Sequence, residues 1–268
     1  MKFFASISAV IVTFALTESA NVTTQGRPWG YRQNPNMVHP SQWADKWKSC
    51  GSDRQSPIDI VTTPRSTKGQ KLPLVFSGNC PQFNLWNPQE PLEADVVGGN
   101  CAVSLNGAAY NMAQFHLHAP SEHTLNGKQM DGEVHFVHLT EDRSAILVVG
   151  VFLRICSKSD EWLGPVLDAL EQVGSTERSN ALLVNLRSYS SLVQKAYKTG
   201  GIYNYAGSLT TPPCDATVDW WVVQDPIQIS AADFDRLHQD LIKYSITDNG
   251  NNARPTQRLN GRVVVRYN

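Results

Sequence analysis

The fold is most clearly indicated by the stretch Gln114-Phe-His-Leu-His118, in which polar and apolar side chains alternate. Alternate residues of an extended strand point to the same face of a sheet, so both imidazoles and the Gln114 amide should share one face. A second run, Gly132-Glu-Val-His-Phe-Val-His138, again alternates and suits a strand that offers one more imidazole. The two runs together predict neighbouring strands with a histidine-rich face.

The stretch that contains these two strands is rich in histidine, since five of the seven histidines lie from His116 to His138. This composition suggests a metal site. Three neutral imidazoles from two neighbouring strands, without a thiolate or carboxylate, are typical of a catalytic zinc site with one open position. His116 and His118 belong together by alternation, whereas His135 and His138 lie on opposite faces, so only one of them can join. His123 lies in a loop-like segment that is better suited to an orienting role. The residues alone leave the third ligand open.

Candidate acceptors for the ring N–H groups accompany these histidines. Gln114 lies two residues before His116, and Glu133 lies two residues before His135, so each shares a strand face with its histidine. Metal-binding histidines usually donate their second ring N–H to such an acceptor, which fixes the tautomer. The alternative is a pair of polar strand faces turned to solvent, which fits poorly because apolar residues fill the opposite faces.

The N-terminal residues predict export. Met1-Lys2 precedes an apolar run from Phe3 to Leu16, and small residues follow, as in a secretory signal peptide. The run is short for a membrane span, and no later stretch approaches about 20 apolar residues. We expect residues 1–20 to be the signal peptide and residues 21–268 to form one secreted domain with a sizeable core.

Charge and cysteine content restrict the partners further. The net charge is −1 and charged residues make up 18% of the chain, without a long basic or acidic block, so neither nucleic acid nor a charged membrane surface is indicated. Five cysteines in an exported chain predict disulfides, and the odd number leaves at least one thiol unpaired. No Cys-x-x-Cys spacing indicates a thiolate zinc site.

Short segments rich in Val, Ile and aromatic residues, separated by Gly, Asn and Pro, predict a largely antiparallel β architecture. Helices are indicated at Glu161–Val173, at Ser188–Tyr197 and after Ser230-Ala-Ala-Asp233, which resembles a capping box. The expected fold class is therefore α+β, mainly β, as a single domain with peripheral helices. The candidate strands are Pro57–Val61, Leu72–Phe76, Leu92–Val97, Ala102–Leu105, Asn111–His118, Gly132–Leu139, Ala145–Leu153, Thr217–Val223 and Arg262–Arg266.

Six dispersed motifs identify a family. One of them, Ser208-Leu-Thr-Thr-Pro-Pro-Cys214, is a stiff, non-helical segment that can hold a hydroxyl in a fixed orientation. Together they resemble the α-class carbonic anhydrases, from about Trp29 to the end of the chain. The resemblance implies a central, twisted, mostly antiparallel ten-stranded sheet with zinc at the bottom of a conical cleft. The other five motifs are Gln55-Ser-Pro-Ile-Asp59, Gln114-Phe-His-Leu-His118, Pro120-Ser-Glu-His-Thr124, Glu133-Val-His-Phe-Val-His138 and Arg254-Pro-Thr-Gln257.

The resemblance implies roles for particular residues. Thr210 would accept the hydrogen bond of a zinc-bound hydroxide and donate its own to Glu122, because an ionised carboxylate can only accept. That hydroxide would attack CO2 to give bicarbonate, with esterase activity as a side reaction. The implied Zn2+ ligands and the acceptors behind them are His116, His118, His135, Gln114, Glu133 and the backbone carbonyl of Asn252. The implied substrate contacts are Val137, Val148, Leu209, Thr211, Val218 and Trp220.

The proton-shuttle position departs from the family. Many relatives carry a histidine in an Asn-x-Gly-His run, and the aligned run here is Asn87-Pro-Gln-Glu90. An ordinary carboxylate titrates near pH 4, so Glu90 is a poor proton carrier at neutral pH. We expect moderate turnover that depends on buffer.

The resemblance also implies a disulfide between Cys50 and Cys214, the pair that is bonded in exported members. This bond would anchor the loop that carries Thr210 to the N-terminal segment. Cys80–Cys101 is a weaker candidate pair, and Cys156 is the expected free thiol.

Two other functions fit part of this pattern. One is a non-catalytic relative that binds, stores or associates with mineral, although such relatives typically lose zinc histidines. The other is a zinc hydrolase such as a metallo-β-lactamase-like enzyme, which needs an Asp and a His soon after the first pair, where Pro120 and Ser121 stand. The sequence leaves open whether the protein is a monomer or a dimer.

Overall fold

The computed structural model describes residues 28–62, 71–86, 92–172 and 182–267. The expected signal peptide and Glu90 lie outside these described residues. Four helices and two short 3-10 helices occur in the described part, and strands account for most of its regular structure. The helices are α1 (Trp43–Lys46), α2 (Leu163–Leu170), α3 (Tyr189–Gly200) and α4 (Ala231–Ile242), with 3-10 turns at Pro40–Gln42 and Lys48–Gly51.

The strands of the described residues number fourteen. They are β1 (Asp59–Ile60), β2 (Val75–Ser77), β3 (Gln82–Trp86), β4 (Glu93–Gly98), β5 (Ala102–Leu105), β6 (Ala108–His118), β7 (Thr124–Leu125), β8 (Lys128–Gln129), β9 (Gly132–Leu139), β10 (Ile146–Cys156), β11 (Leu182–Asn185), β12 (Ile202–Gly207), β13 (Val218–Ser230) and β14 (Val265–Tyr267).

One sheet contains eleven of these strands, which confirms the predicted mainly β class, with one strand more than the ten expected. Its order is β11-β3-β4-β6-β9-β10-β13-β12-β14, with β5 also paired to β6 and β2 to β5. Its neighbours run antiparallel except β10 and β13, which are parallel. A separate small sheet joins β1, β7 and β8. The long strands β6, β9, β10 and β13 therefore lie side by side in the middle of the molecule.

Several strand predictions were wrong in extent. The sequence pattern missed β3, β7, β8, β11 and β12, which are short or interrupted by polar residues, and it placed β2 and β14 too early in the chain. It also ended the strand at Val223, because Gln224-Asp225-Pro226 reads as a turn. In the structure, β13 continues past this point to Ser230, and a register shift against β10 between Val151 and Leu153 accommodates the irregularity.

The helix predictions are confirmed in position, with ends shifted by a few residues. The Ser230 hydroxyl accepts from the backbone N–H of Asp233 at 3.1 Å, which caps the first turn of α4. The reciprocal half of a capping box is absent here, since the backbone N–H of Ser230 donates to the Ser159 hydroxyl at 2.7 Å instead.

The core separates the two faces of the central strands. On one face of β6 and β9, Phe115, Leu117, Val134 and Phe136 are buried in the larger hydrophobic cluster. His116, His118, His135 and Glu133 lie on the opposite face, beside a smaller cluster that contains Val148 and Trp220. The chain therefore places its polar residues on the face predicted from alternation.

Two disulfides link the described cysteines. Cys50 is bonded to Cys214 and Cys80 to Cys101, while Cys156 is free. All three outcomes agree with the sequence-based expectations. Among the described residues, no helix combines the length and the apolar character that a membrane crossing requires.

Candidate metal centre

Three histidines converge at the centre of the sheet. His116 on β6 is directly opposite His135 on β9, and His118 follows two residues later on the same face of β6. The ring centroid of His116 lies 5.1 Å from each of the other two, and those of His118 and His135 are 4.6 Å apart. One imidazole nitrogen from each ring can therefore face a common point.

The outer nitrogen of each ring faces an oxygen atom. His116 Nδ1 is 2.9 Å from Gln114 Oε1, and His118 Nδ1 is 2.8 Å from the backbone carbonyl oxygen of Asn252. His135 Nε2 lies 3.0 Å from Glu133 Oε1. Because the Gln114 and Asn252 oxygens accept hydrogen bonds, the outer nitrogens of His116 and His118 carry the protons and their inner nitrogens keep free lone pairs. His135 Nε2 is close to the Glu133 carboxylate but does not meet hydrogen-bond geometry, so proximity to the carboxylate alone favours a proton on this nitrogen.

The inner nitrogens lie close together with no proton left to share. His135 Nδ1 is 3.2 Å from His116 Nε2, and with protons on the outer nitrogens two lone pairs face each other across this short distance. The buried His118 Nε2 has no hydrogen-bond partner among the described residues. A cation at the point where these nitrogens converge would satisfy all three. The donor set fits Zn2+, which binds neutral imidazoles and leaves a fourth position open in catalytic sites.

Burial favours the neutral form of His116 and His118. Desolvation lowers the pKa of His116 well below its ordinary value, and the neighbouring His118 and His135 lower it further. Desolvation also lowers the pKa of His118, although the nearby Glu122 opposes the shift. Neutral imidazoles are the form that can bind a metal.

A buried hydrogen-bond chain leads away from His135. Burial alone would raise the pKa of Glu133, but its interactions with the neighbouring His123 and His135 outweigh this effect and hold that pKa well below its usual range. His123 Nδ1 donates to Glu133 Oε1 at 2.7 Å, and its Nε2 is hydrogen-bonded to the Tyr205 hydroxyl at 2.7 Å. The Tyr205 hydroxyl in turn donates to Ser56 Oγ at 2.8 Å.

These contacts exclude a second metal set. His123, Glu133 and His135 lie close enough together to hold an ion. However, both ring nitrogens of His123 already have protein partners, so neither is available to a metal. The orienting role expected for His123 agrees with these contacts.

Glu122 and Thr210 do not form the hydrogen bond expected from the sequence. Glu122 Oε1 accepts from the backbone N–H of Arg254 at 3.0 Å, and Oε2 has no hydrogen-bond partner among the described residues. Glu122 Oε2 instead points toward the inner histidine nitrogens, 3.5 Å from His118 Nε2 and 3.9 Å from His135 Nδ1. Thr210 is buried, and the preceding residue, Leu209, packs against the smaller hydrophobic cluster.

An apolar surface adjoins the histidines. Val137 lies two residues after His135 on β9 and therefore on the same face, and Val148 on β10 is opposite both Val137 and Trp220. Val148, Val218 and Trp220 are buried in one cluster, and Val137 and Leu209 pack against it partly buried. The structure thus brings together five of the six expected substrate contacts. Thr211 is partly exposed and is not part of this cluster.

The segment that carries Thr210 is fixed at both ends. Cys214 is bonded to Cys50, and Gln55 Nε2 donates to the Cys214 carbonyl oxygen at 3.1 Å. The backbone N–H of Ser56 donates to Ser208 Oγ at 2.9 Å, and Trp220 Nε1 donates to the Ser208 carbonyl oxygen at 3.0 Å.

Sequence reasoning missed two residues that support this arrangement. The buried guanidinium of Arg254 donates to Gln55 Oε1 at 2.9 Å, to the Ser56 carbonyl at 2.8 Å and to the Cys50 carbonyl at 3.1 Å. Burial lowers the pKa of Arg254 to about 10. Arg254 belonged to a recognised motif, but nothing in that motif revealed its contacts. Tyr205, the other missed residue, lies on an unpredicted strand.

Comparison with known proteins gives consistent matches over most of the chain. A family model described as eukaryotic-type carbonic anhydrase matches residues 38–268. Alpha carbonic anhydrase 5 of Arabidopsis thaliana is 31% identical over 239 residues, which cover 85% of this chain and 81% of that protein. The solved structure of Photobacterium profundum alpha-carbonic anhydrase has a TM-score of 0.70 and 30% identity, covering 88% of this chain and 99% of that one. A structure of dioscorin complexed with ascorbate has a TM-score of 0.71 and 27% identity, covering 90% and 98%.

Proposed function

The chain belongs to the eukaryotic-type carbonic anhydrase family, and we propose that it hydrates carbon dioxide reversibly with a Zn2+ ion held by His116, His118 and His135. Family membership supports an enzyme of carbon dioxide hydration in general. The metal, its ligands and the roles of the surrounding residues are the proposed part. The observation that carries it is the convergence of three inner imidazole nitrogens whose outer nitrogens all face oxygen atoms.

The proposed ligands suit the reaction through their charge. When bound, zinc would supply Lewis-acid chemistry that lowers the pKa of water toward neutrality, and carbonic anhydrase is itself the usual example of this effect. Three neutral imidazoles add no negative charge to the site. Thiolate or carboxylate ligands would add charge and oppose the acidity that the reaction needs.

Glu122 and Thr210 are proposed as the pair that orients the attacking water. One carboxylate oxygen of Glu122 is fixed by the backbone N–H of Arg254, and the other is buried and available as an acceptor. Because a carboxylate only accepts, Thr210 would have to donate to it and would then present its lone pairs to the reacting water. The proposal requires the Thr210 hydroxyl to reach Glu122 Oε2 in the working enzyme.

The apolar surface is proposed to hold the substrate. Val137, Val148 and Trp220 share the sheet face of His135, so a small, uncharged, linear molecule can lie against them beside the metal position. These side chains offer CO2 an apolar contact and exclude excess water. Charged bicarbonate gains nothing from this surface, which favours its release. Weak hydrolysis of activated esters would use the same site.

Proton release is proposed to be slow because Glu90 stands at the shuttle position. We expect Glu90→His to raise carbon dioxide hydration in weak buffer and to change it little in concentrated buffer, since added buffer replaces a missing shuttle. Stopped-flow rates over a series of buffer concentrations measure this. An unchanged rate in weak buffer would refute the shuttle assignment without affecting the ligand assignment.

Export to an oxidising compartment is also proposed. Two disulfides join four of the five cysteines, which suits a secreted protein. Sequencing the N-terminus of material recovered from the medium of an expressing cell tests both export and the expected removal of residues 1–20.

The central experiment combines metal analysis with stopped-flow carbon dioxide hydration. The wild type should contain one zinc per chain, lose activity with a zinc chelator and regain it when zinc is restored. His118→Ala should lose both properties, whereas His39→Ala, outside the cluster, should keep them. Wild-type protein without stoichiometric zinc would overturn the proposal. Zinc without turnover would favour the non-catalytic reading instead.

A further inference from the structure

The carboxylate of Glu133 accepts three hydrogen bonds and lies close to a fourth nitrogen. Its Oε1 faces His123 Nδ1 at 2.7 Å and His135 Nε2 at 3.0 Å. Its Oε2 accepts from the backbone N–H groups of Glu122 at 3.0 Å and of His123 at 2.9 Å. The side chain is fully buried, so water cannot replace any of these partners.

The neighbouring strand has a glycine next to this carboxylate. Gly150 on β10 is directly opposite His135 on β9. A Cβ atom at position 150 would lie 2.7 Å from Glu133 Oε1, whereas its next neighbours, Val222 Cγ2 and His135 Cδ2, would be 3.6 and 3.7 Å away. Only the first of these distances is too short, so a side chain here would collide with the carboxylate alone.

The carboxylate has no free direction in which to retreat. Moving Oε1 away from position 150 would break its contacts with His123 and His135, and rotating the group would disturb the two backbone bonds of Oε2. The backbone at Gly150 does not have a positive φ, so an alanine fits the chain conformation without strain. Conformational freedom is therefore not the reason that a glycine suits this position.

We propose that Gly150 is a positioning residue of the metal centre: the missing side chain leaves the space in which Glu133 holds the outer nitrogen of His135. The inference rests on the proposed zinc site and adds a residue on a strand that contributes no ligand. With an alanine at position 150, His135 loses a fixed acceptor, and its ring orientation and tautomer are no longer set. The inner nitrogen of His135 then binds a metal less well.

The test is the zinc affinity of Gly150→Ala, measured by competition with a chromogenic chelator. We expect affinity to fall about 10- to 100-fold, the range typical of lost support behind a metal-binding histidine. The visible spectrum of the cobalt-substituted protein should change as well, because ligand geometry at His135 changes. Gly98→Ala is the matched control, since it makes the same substitution in β4 of the same sheet, where the nearest atom to a Cβ is Gln82 Oε1 at 3.9 Å.

A double-mutant cycle with Glu133→Asp identifies the route of the effect. Aspartate withdraws the carboxylate by one methylene, so Glu133→Asp alone should weaken zinc binding and Gly150→Ala should add less than about twofold to it. Effects that multiply instead would show that Gly150 acts on something other than Glu133 and would overturn the inference. If Gly150→Ala does not fold, the double variant should fold, because it has room for the new methyl group. Failure of both would equally overturn the inference.

Failure of this inference is distinct from failure of the proposed function. Wild-type protein that binds no zinc removes the proposed function. Wild-type protein that binds zinc, with Gly150→Ala binding it equally well and giving the same cobalt spectrum, removes only the role of Gly150.

Discussion

Strand β9 carries two buried histidines, three residues apart and on opposite faces of the sheet. His135 faces the metal centre, and His138 faces the main core, where its Nδ1 is 3.2 Å from the Leu147 carbonyl oxygen and its Nε2 is 2.5 Å from the Tyr189 hydroxyl. Both are essentially inaccessible to water. They differ in the atoms that lie within hydrogen-bond distance of each ring nitrogen.

The difference separates a structural histidine from a candidate ligand. Protein oxygens satisfy both nitrogens of His138, and Tyr189 packs against Phe136 beside it. At His135 the outer nitrogen lies 3.0 Å from Glu133 Oε1, while the inner one is 3.2 Å from another imidazole nitrogen, His116 Nε2. Burial is the same in both cases, so burial alone does not predict metal binding. The convergence of inner nitrogens from three histidines does.

The strongest test of this comparison replaces each histidine in turn. We expect His135→Ala to weaken zinc binding by more than the roughly 100-fold upper range for residues that only support a ligand, and to abolish turnover. His138→Ala should keep zinc and turnover but lose about 1–3 kcal/mol of unfolding free energy for each buried group left without a partner. Zinc analysis and urea unfolding measure the two effects. Retention of zinc by His135→Ala would break the comparison.

How far the sequence predicts this site depends on the range of each interaction. The pairing of His116 with His118 follows from local alternation, and so does the placement of Gln114. The Asn252 carbonyl that accepts from His118 lies 134 residues away, and only the family resemblance indicated it. The choice of His135 over His138 likewise needed either the resemblance or the register of β6 against β9.

Other features left no local signal. Gly150 matters through a distance between two strands, and a sequence pattern does not contain that distance. The strands β3, β11 and β12 are stabilised by their neighbours in the sheet rather than by their own alternation, so tertiary pairing decided them. The carboxylate of Glu122 shows the converse case, since family expectation gave it a hydrogen bond to Thr210 that the described residues do not form.

The two disulfides can be compared in the same way, because only one of them anchors the segment that carries Thr210. Cys50–Cys214 closes a separation of 164 residues and anchors the segment that carries Thr210, whereas Cys80–Cys101 closes 21 residues elsewhere. By the chain-entropy model, replacing the first pair with serine should cost about 5 kcal/mol of unfolding free energy and replacing the second about 3 kcal/mol. Only the first replacement should also lower turnover. Equal losses of turnover would show that stiffening of this segment is unimportant.

The next effect concerns His138, on the core face of β9, and appears as a pH dependence of the unfolding free energy. Burial lowers the pKa of His138 from 6.5 to about 4. Below pH 6.5 the unfolded chain binds a proton at this residue, whereas the folded chain binds it only near pH 4. The stability contribution is therefore complete above pH 6.5 and is lost as the pH falls toward 4, by about 3 kcal/mol in total.

His138→Gln isolates this contribution, because every other titrating group is common to both proteins. The unfolding free energy of the wild type should fall more steeply than that of His138→Gln between pH 6.5 and 4, by about one proton's slope. Parallel curves would mean that His138 is not held neutral on its face of β9.

The smallest expected effect concerns Thr210, whose proposed role is to orient the reacting water rather than to bind the metal. Thr210→Val keeps the shape of the side chain but removes the hydroxyl, so zinc affinity should stay unchanged while kcat for carbon dioxide hydration falls about 10²-fold, as for other lost orienting hydrogen bonds. Thr210→Ser should recover most of the rate because it restores the donor to Glu122. A drop in zinc affinity with Thr210→Val would mean that the hydroxyl supports the histidines themselves. The orienting role would then have to be assigned to Glu122 alone, whose free carboxylate oxygen already faces His118 and His135.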